Sequence, residues 1–96
     1  RLMINGHAGD GNTHIQLCRD DMPKEKFEEQ TPLLMNDLYA KAKEAGGQVS
    51  GEHGIGLAKA KWFRKAVGEG AYHLHELVKS ALDPKNLLNP GKMGLP

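Results

Sequence analysis

Three of the chain's five histidines, His7, His14 and His53, fall in or beside two segments that also hold eight of its twelve glycines. Those glycines are Gly6, Gly9 and Gly11, then Gly46, Gly47, Gly51, Gly54 and Gly56. Histidine supplies metal ligands and proton acceptors, and glycine lets the backbone turn sharply or approach closely. Glu52 stands directly before His53 in the second segment. Two imidazoles and a carboxylate around an open position form a recurring donor set for zinc and related divalent ions. His7 and His14 are therefore candidate ligands, and Glu52 is the natural candidate for a third. Neighbours on an extended segment point to opposite sides, so His53 suits a base beside the ion better than a ligand on it. The competing reading has His7 and His14 on a solvated sheet face and His53 as a turn residue bonded to backbone.

Those side chains meet only if the backbone brings them together. Residues 2–18 read as a β-hairpin, with Asp10-Gly11 as a two-residue turn. Centred there, Ile4 faces Leu17, Gly6 faces Ile15, Ala8 faces Thr13, and His7 lies directly across from His14. Alternation puts Leu2, Ile4, Ile15 and Leu17 on a core face. Asn5, His7, Asn12, His14 and Gln16 fall on the polar face. Thr31-Pro32 reads as a helix start, with Leu34, Met35, Leu38, Ala42 and Ala45 at helical spacing and Gly46-Gly47 as the stop. Gln48–Ser50 reads as a short strand feeding the Glu52 turn. Leu57–Lys65 and about Ala71–Leu82 read as two further helices, the second with Leu74, Leu77, Val78 and Ala81 on one stripe and Asp83-Pro84 as its end. Met35, Tyr39, Trp62 and Phe63 are expected in the core or a domain interface. His73 and His75 are expected in solvent.

Composition narrows the classes. Ninety-six residues make one small domain, and 13 Lys+Arg against 12 Asp+Glu give a net charge of +1, with no basic field for nucleic acid. No apolar run is long enough to cross a bilayer, and residues 1–11 carry no leader pattern. A lone cysteine, Cys18, excludes an internal disulfide and a cysteine-based zinc finger; a cytoplasmic location is the expectation. The opening at Arg1, already inside an apolar alternation, suggests a larger parent chain. Calcium-loop, HExxH, dinucleotide-binding and Walker patterns all fail. In particular, Lys79 stands where the second histidine after His75-Glu76 is required.

Three motifs occur in order: Gly6-His7-Ala8-Gly9-Asp10-Gly11-Asn12-Thr13-His14, then Ser50-Gly51-Glu52-His53-Gly54-Ile55-Gly56, then Asp83-Pro84-Lys85-Asn86-Leu87-Leu88-Asn89-Pro90-Gly91-Lys92. Together they resemble the C-terminal part of FAD-linked oxidases of the vanillyl-alcohol-oxidase type, in the branch of D-lactate, glycolate and D-2-hydroxyglutarate dehydrogenases. The resemblance spans nearly the whole chain. It implies an α+β fold with a small antiparallel sheet and flanking helices, part of a ferredoxin-like cap, over residues 1–96. It also implies that the FAD-binding domain lies outside this chain.

The resemblance further implies a divalent metal, zinc or manganese, on His7, His14 and Glu52. It makes His53 the catalytic base and a substrate contact. The residue two after the second histidine, often Asn in the family, is Gln16 here, a longer amide at a substrate-binding position. Asn89 becomes a flavin contact. The implied reaction oxidises a 2-hydroxy acid by hydride transfer to flavin, with an electron acceptor that the residues do not name. This segment alone is expected to be inactive, and its sheet to be prone to self-association. The rival readings are a non-catalytic metal-binding module and a zinc hydrolase with Glu52 as base. The Asn-Pro-Gly-Lys tail speaks against both, because neither needs it.

Overall fold

The computed structural model describes all residues, Arg1–Pro96. A hairpin of β1 (Leu2–His7) and β2 (Asn12–Leu17) is followed by α1 (Lys24–Glu44), an irregular glycine-rich stretch, α2 (Ala60–Val67) and α3 (Glu69–Leu82). Single 3-10 turns occur at Ala8–Asp10 and Lys92–Gly94. This is the expected small antiparallel sheet flanked by helices.

The hairpin register differs from the expected one by two residues. Leu2 pairs with Leu17, Ile4 with Ile15, Asn5 with His14 and His7 with Asn12. A type I′ turn needs positive φ at both central residues. Here Gly11 adopts it (φ 66°) while Ala8–Asp10 coil into a 3-10 turn, giving a four-residue loop. A slip of two keeps every side chain on its face, because the strand period is two. His7 and His14 thus still share the polar face, as diagonal rather than direct neighbours.

The apolar face of the hairpin is not a core. Leu2 and Ile4 are more than half exposed. Its base meets only the first turns of α1, in a cleft lined by Leu2, Leu17 and Cys18 on one side and Met22, Phe27 and Leu34 on the other.

Helix α1 begins a full two turns before the expected Thr31-Pro32 start and carries Pro32 inside it. Pro23 precedes its first residue, and the chain is already helical when it reaches Pro32, whose ring removes one backbone donor. Thr31 turns its hydroxyl back to the Phe27 carbonyl (2.7 Å), an internal bond rather than a cap. The expected stop holds: Gly46 (φ 80°) follows the last turn.

The core lies among α2, α3 and the C-terminal tail. Phe63, Tyr72, Leu95 and Val49 are its buried apolar residues. Tyr72 donates its hydroxyl to the Gly94 carbonyl (2.6 Å), and the Met93 amide bonds the Gly56 carbonyl (2.7 Å), so the tail folds back over both helices. Gly68 breaks α2 from α3 at φ 85°, ψ 163°, a conformation open only to glycine. Gly70 lies inside α3. The Tyr39 and Trp62 rings pack at a tilt, 5.2 Å apart, and the Trp62 indole donates to Asn36 Oδ1 (2.6 Å), tying α1 to α2.

Two further expectations change here. Gln48–Ser50 forms no strand: the sheet has two strands, and the Glu52 side chain beyond this stretch reaches the hairpin instead. Leu74, Leu77 and Val78 of the α3 stripe are each at least half exposed, and the face turned inward carries Tyr72 and His75. His75 is half-buried with its ring edge-on to Phe63 (5.1 Å) rather than in solvent. The radius of gyration is 15.5 Å, against about 12–13 Å for a compact domain of this length. Much apolar surface is therefore uncovered. No helix is long and apolar enough to cross a membrane.

Candidate metal centre

The cluster assembles across the gap between the hairpin and the turn after α1. His7 closes β1 and His14 sits within β2, their rings 6.3 Å apart on the polar face. Opposite them, Val49 is buried in the core and fixes the root of the turn that carries Glu52. Gly51 lets this turn lie directly on the Asn12 side chain; a Cβ there would collide with it. The Glu52 carboxylate then reaches the imidazoles. Its Oε1 is 2.5 Å from His14 Nε2, 3.7 Å from His7 Nε2 and 3.8 Å from His53 Nε2.

One ligand atom from each of His7, His14 and Glu52 lies within 4.8 Å of the others. Two neutral imidazoles and a carboxylate at that spacing suit a divalent ion of the zinc or manganese kind. In this arrangement His14 donates its Nε2 proton to Glu52. Ligation by that nitrogen would need the other tautomer, with the ring proton on Nδ1.

Partial burial alone would raise the Glu52 pKa. Hydrogen bonds from His14 and Asn12, with the charges of His53 and His14, outweigh this and hold it below the ordinary carboxylate value. The carboxylate stays in the form that binds cations.

His53 departs from the extended geometry expected of it. Its φ is 64°, a left-handed conformation costing roughly 1–2 kcal/mol for a residue with a Cβ. The turn curls the ring back to the same side as Glu52 instead of away from it. Its centroid lies 5.6 Å from that of His14, and the ring is largely exposed. The ring therefore borders both the His7–His14–Glu52 cluster and open solvent.

The remaining site residues separate. Gln16 follows His14 by one strand period and lines the same groove, beside Met35, Leu38 and Tyr39 of α1. Asn89 lies in the loop after α3, exposed and with φ 50°, and lines no part of that groove. Asn12 had no role in the sequence reading, yet it both supports Gly51 and bonds Glu52. Its place beside His14 on the polar face was the available signal.

The family model described as "FAD linked oxidases, C-terminal domain" matches residues 1–93. A D-lactate dehydrogenase of Anaerostipes hadrus is 47% identical over 97% of this chain and 20% of its own length. The glycolate oxidase subunit GlcD of Bacillus subtilis is 39% identical over 92% of this chain and 18% of its own length. A probable mitochondrial D-lactate dehydrogenase of Danio rerio is 41% identical over 94% and 18%, respectively. The chain thus spans about a fifth of the length of these curated relatives. No solved structure matches it.

Proposed function

Because the chain belongs to the family of FAD-linked oxidase C-terminal domains, we propose that it supplies the metal ligands and the base of an enzyme that oxidises a 2-hydroxy acid to a 2-oxo acid. The observation that carries this reading is the convergence of His7, His14 and Glu52 on one point, with the His53 ring beside them. Relatives named as D-lactate dehydrogenases and a glycolate oxidase subunit support the substrate class. When bound, a divalent ion would polarise the substrate hydroxyl and carboxylate oxygens, and flavin held by the rest of the protein would accept a hydride at N5.

Each residue then has a part. His7 Nε2, His14 Nε2 and a Glu52 oxygen hold the ion. His53 Nε2 accepts the hydroxyl proton as the C2 hydride leaves, so that one hydride and one proton depart together and C2 becomes a carbonyl. Exposure of His53 lets that proton pass on to water. Gln16 offers an amide to the substrate along the groove wall, and Asn89 contacts flavin through the tail. The segment alone has no turnover in this reading, because the hydride acceptor lies outside it.

The test is anaerobic flavin reduction in the flavin-loaded full-length protein, with D-lactate, glycolate and D-2-hydroxyglutarate as substrates. Reduction by at least one of them is expected. His53→Asn should slow it by about 10²–10⁴-fold with metal content intact. A full-length protein whose flavin no 2-hydroxy acid reduces, or a His53→Asn variant of unchanged rate, would contradict the reading.

A further inference from the structure

Lys59 is the only lysine or arginine among the residues lining the groove. Lys24, Lys41 and Lys79 pair with carboxylates, but Lys59 directs its ammonium at a hydroxyl, Ser50 Oγ, at 2.8 Å. Ser50 in turn donates towards two backbone carbonyls, those of Glu52 (2.6 Å) and Gly54 (3.0 Å). An oxygen that accepts a bond from a cation is a stronger donor through its own proton. The two carbonyls bracket His53, whose positive φ curls the turn. Lys59, at the foot of α2, thus reaches through Ser50 to both sides of His53, the residue next to the carboxylate of Glu52.

We propose that Lys59 and Ser50 are positioning residues: acting through the Ser50 hydroxyl, they pre-form the turn 51–54 so that Glu52 meets His7 and His14 before any ion arrives. The inference rests on the metal-site reading above. Its physical content is that ordering the turn is completed during folding, leaving less entropy to be lost when the ion binds. Without the clasp, the left-handed backbone at His53 relaxes and Glu52 samples positions away from the hairpin.

Manganese titration of the 96-residue chain tests this, with affinity read by calorimetry, ion symmetry by electron paramagnetic resonance, and folding by circular dichroism. Ser50→Ala and Lys59→Met should each weaken manganese binding by about 10–100-fold and alter the resonance line shape, with the melting temperature unchanged. Ser50→Thr and Lys59→Arg should restore most of the affinity. The double variant Ser50→Ala/Lys59→Met should bind no more weakly than either single one, because both act on one clasp.

If the parent chain binds manganese and His14→Ala abolishes it while Ser50→Ala and Lys59→Met bind as the parent does, the clasp is wrong and the metal site stands. If the parent chain binds no manganese, the metal-site reading itself fails and takes the clasp with it. If Ser50→Ala or Lys59→Met lowers the melting temperature, the conservative variants decide: regained melting temperature without regained affinity overturns the positioning role.

Discussion

The helical body and the glycine-rich site are built on opposite terms. Among α2, α3 and the tail, aromatic rings interlock, Tyr72 ties the last residues down, and Asp83 is buried with its carboxylate satisfied by Lys79 and the Leu87 and Leu88 amides. The hairpin has no buried residue at all, and His7 and His53 are mostly open to solvent. Burial holds the first region. The second is held by close backbone approach, one carboxylate and the single buried residue Val49. The division fits chemistry that must admit an ion and a substrate while keeping its donors in place.

That contrast can be broken at four places. The largest effect is expected from Phe63→Ala, which empties the centre of the small core. Loss of a buried phenylalanine costs about 3–5 kcal/mol, enough to unfold most of a marginally stable body. Urea unfolding followed by circular dichroism should show it, and zinc binding should fall as well, because Val49 loses its support. Next comes His14→Ala. Zinc affinity should drop by roughly 100-fold or more, while the helical signal and melting temperature hold. If His14→Ala melts the helices, the two regions are not separable as described.

Gly51→Ala is the subtler cut. A methyl against Asn12 pushes the Glu52 turn off the hairpin, and calorimetry should read about a tenfold loss of zinc affinity with the fold intact. The smallest effect is expected from Asp83→Asn, which belongs to the body alone. The Lys79 hydrogen bond and the Leu87 amide lower the Asp83 pKa to about 2 from 3.8. A depressed carboxylate stabilises the fold fully above its unfolded pKa, and the contribution disappears as pH falls from 3.8 towards 2. Asp83→Asn should therefore melt a few degrees lower than the parent near neutrality, with the difference closing in that acid window. Zinc affinity should be unchanged, and a gap that persisted through the window would remove Asp83 from this role.

Strand periodicity carried the site further than it carried the fold. The true register is two residues from the expected one, yet His7 and His14 share a face in both, because an even slip cannot change sides. The meeting of Glu52 with them was expected from a short strand at Gln48–Ser50 that does not form; the close approach of Gly51 to Asn12 brings the turn to the polar side instead. What was not legible depends on long-range packing or on special dihedrals. Thr31-Pro32 has the local chemistry of a helix start, but the helix had already begun. The spacing of Leu74, Leu77 and Val78 marks an apolar stripe without saying whether anything covers it. His53 was placed by the rule for extended chains, and its positive φ inverts that rule. Asn12 meets Gly51 from far along the chain, and Lys59 reaches back nine residues to Ser50; no periodic pattern announces either contact.

A divalent ion shared by His7, His14 and Glu52 should be visible in zinc-edge X-ray absorption on the zinc-loaded 96-residue chain. One ion per chain is expected, with outer-shell scattering from two imidazole rings, and loss of one ring's signal in either His7→Ala or His14→Ala. A spectrum of oxygen neighbours alone, unchanged by both substitutions, would contradict it.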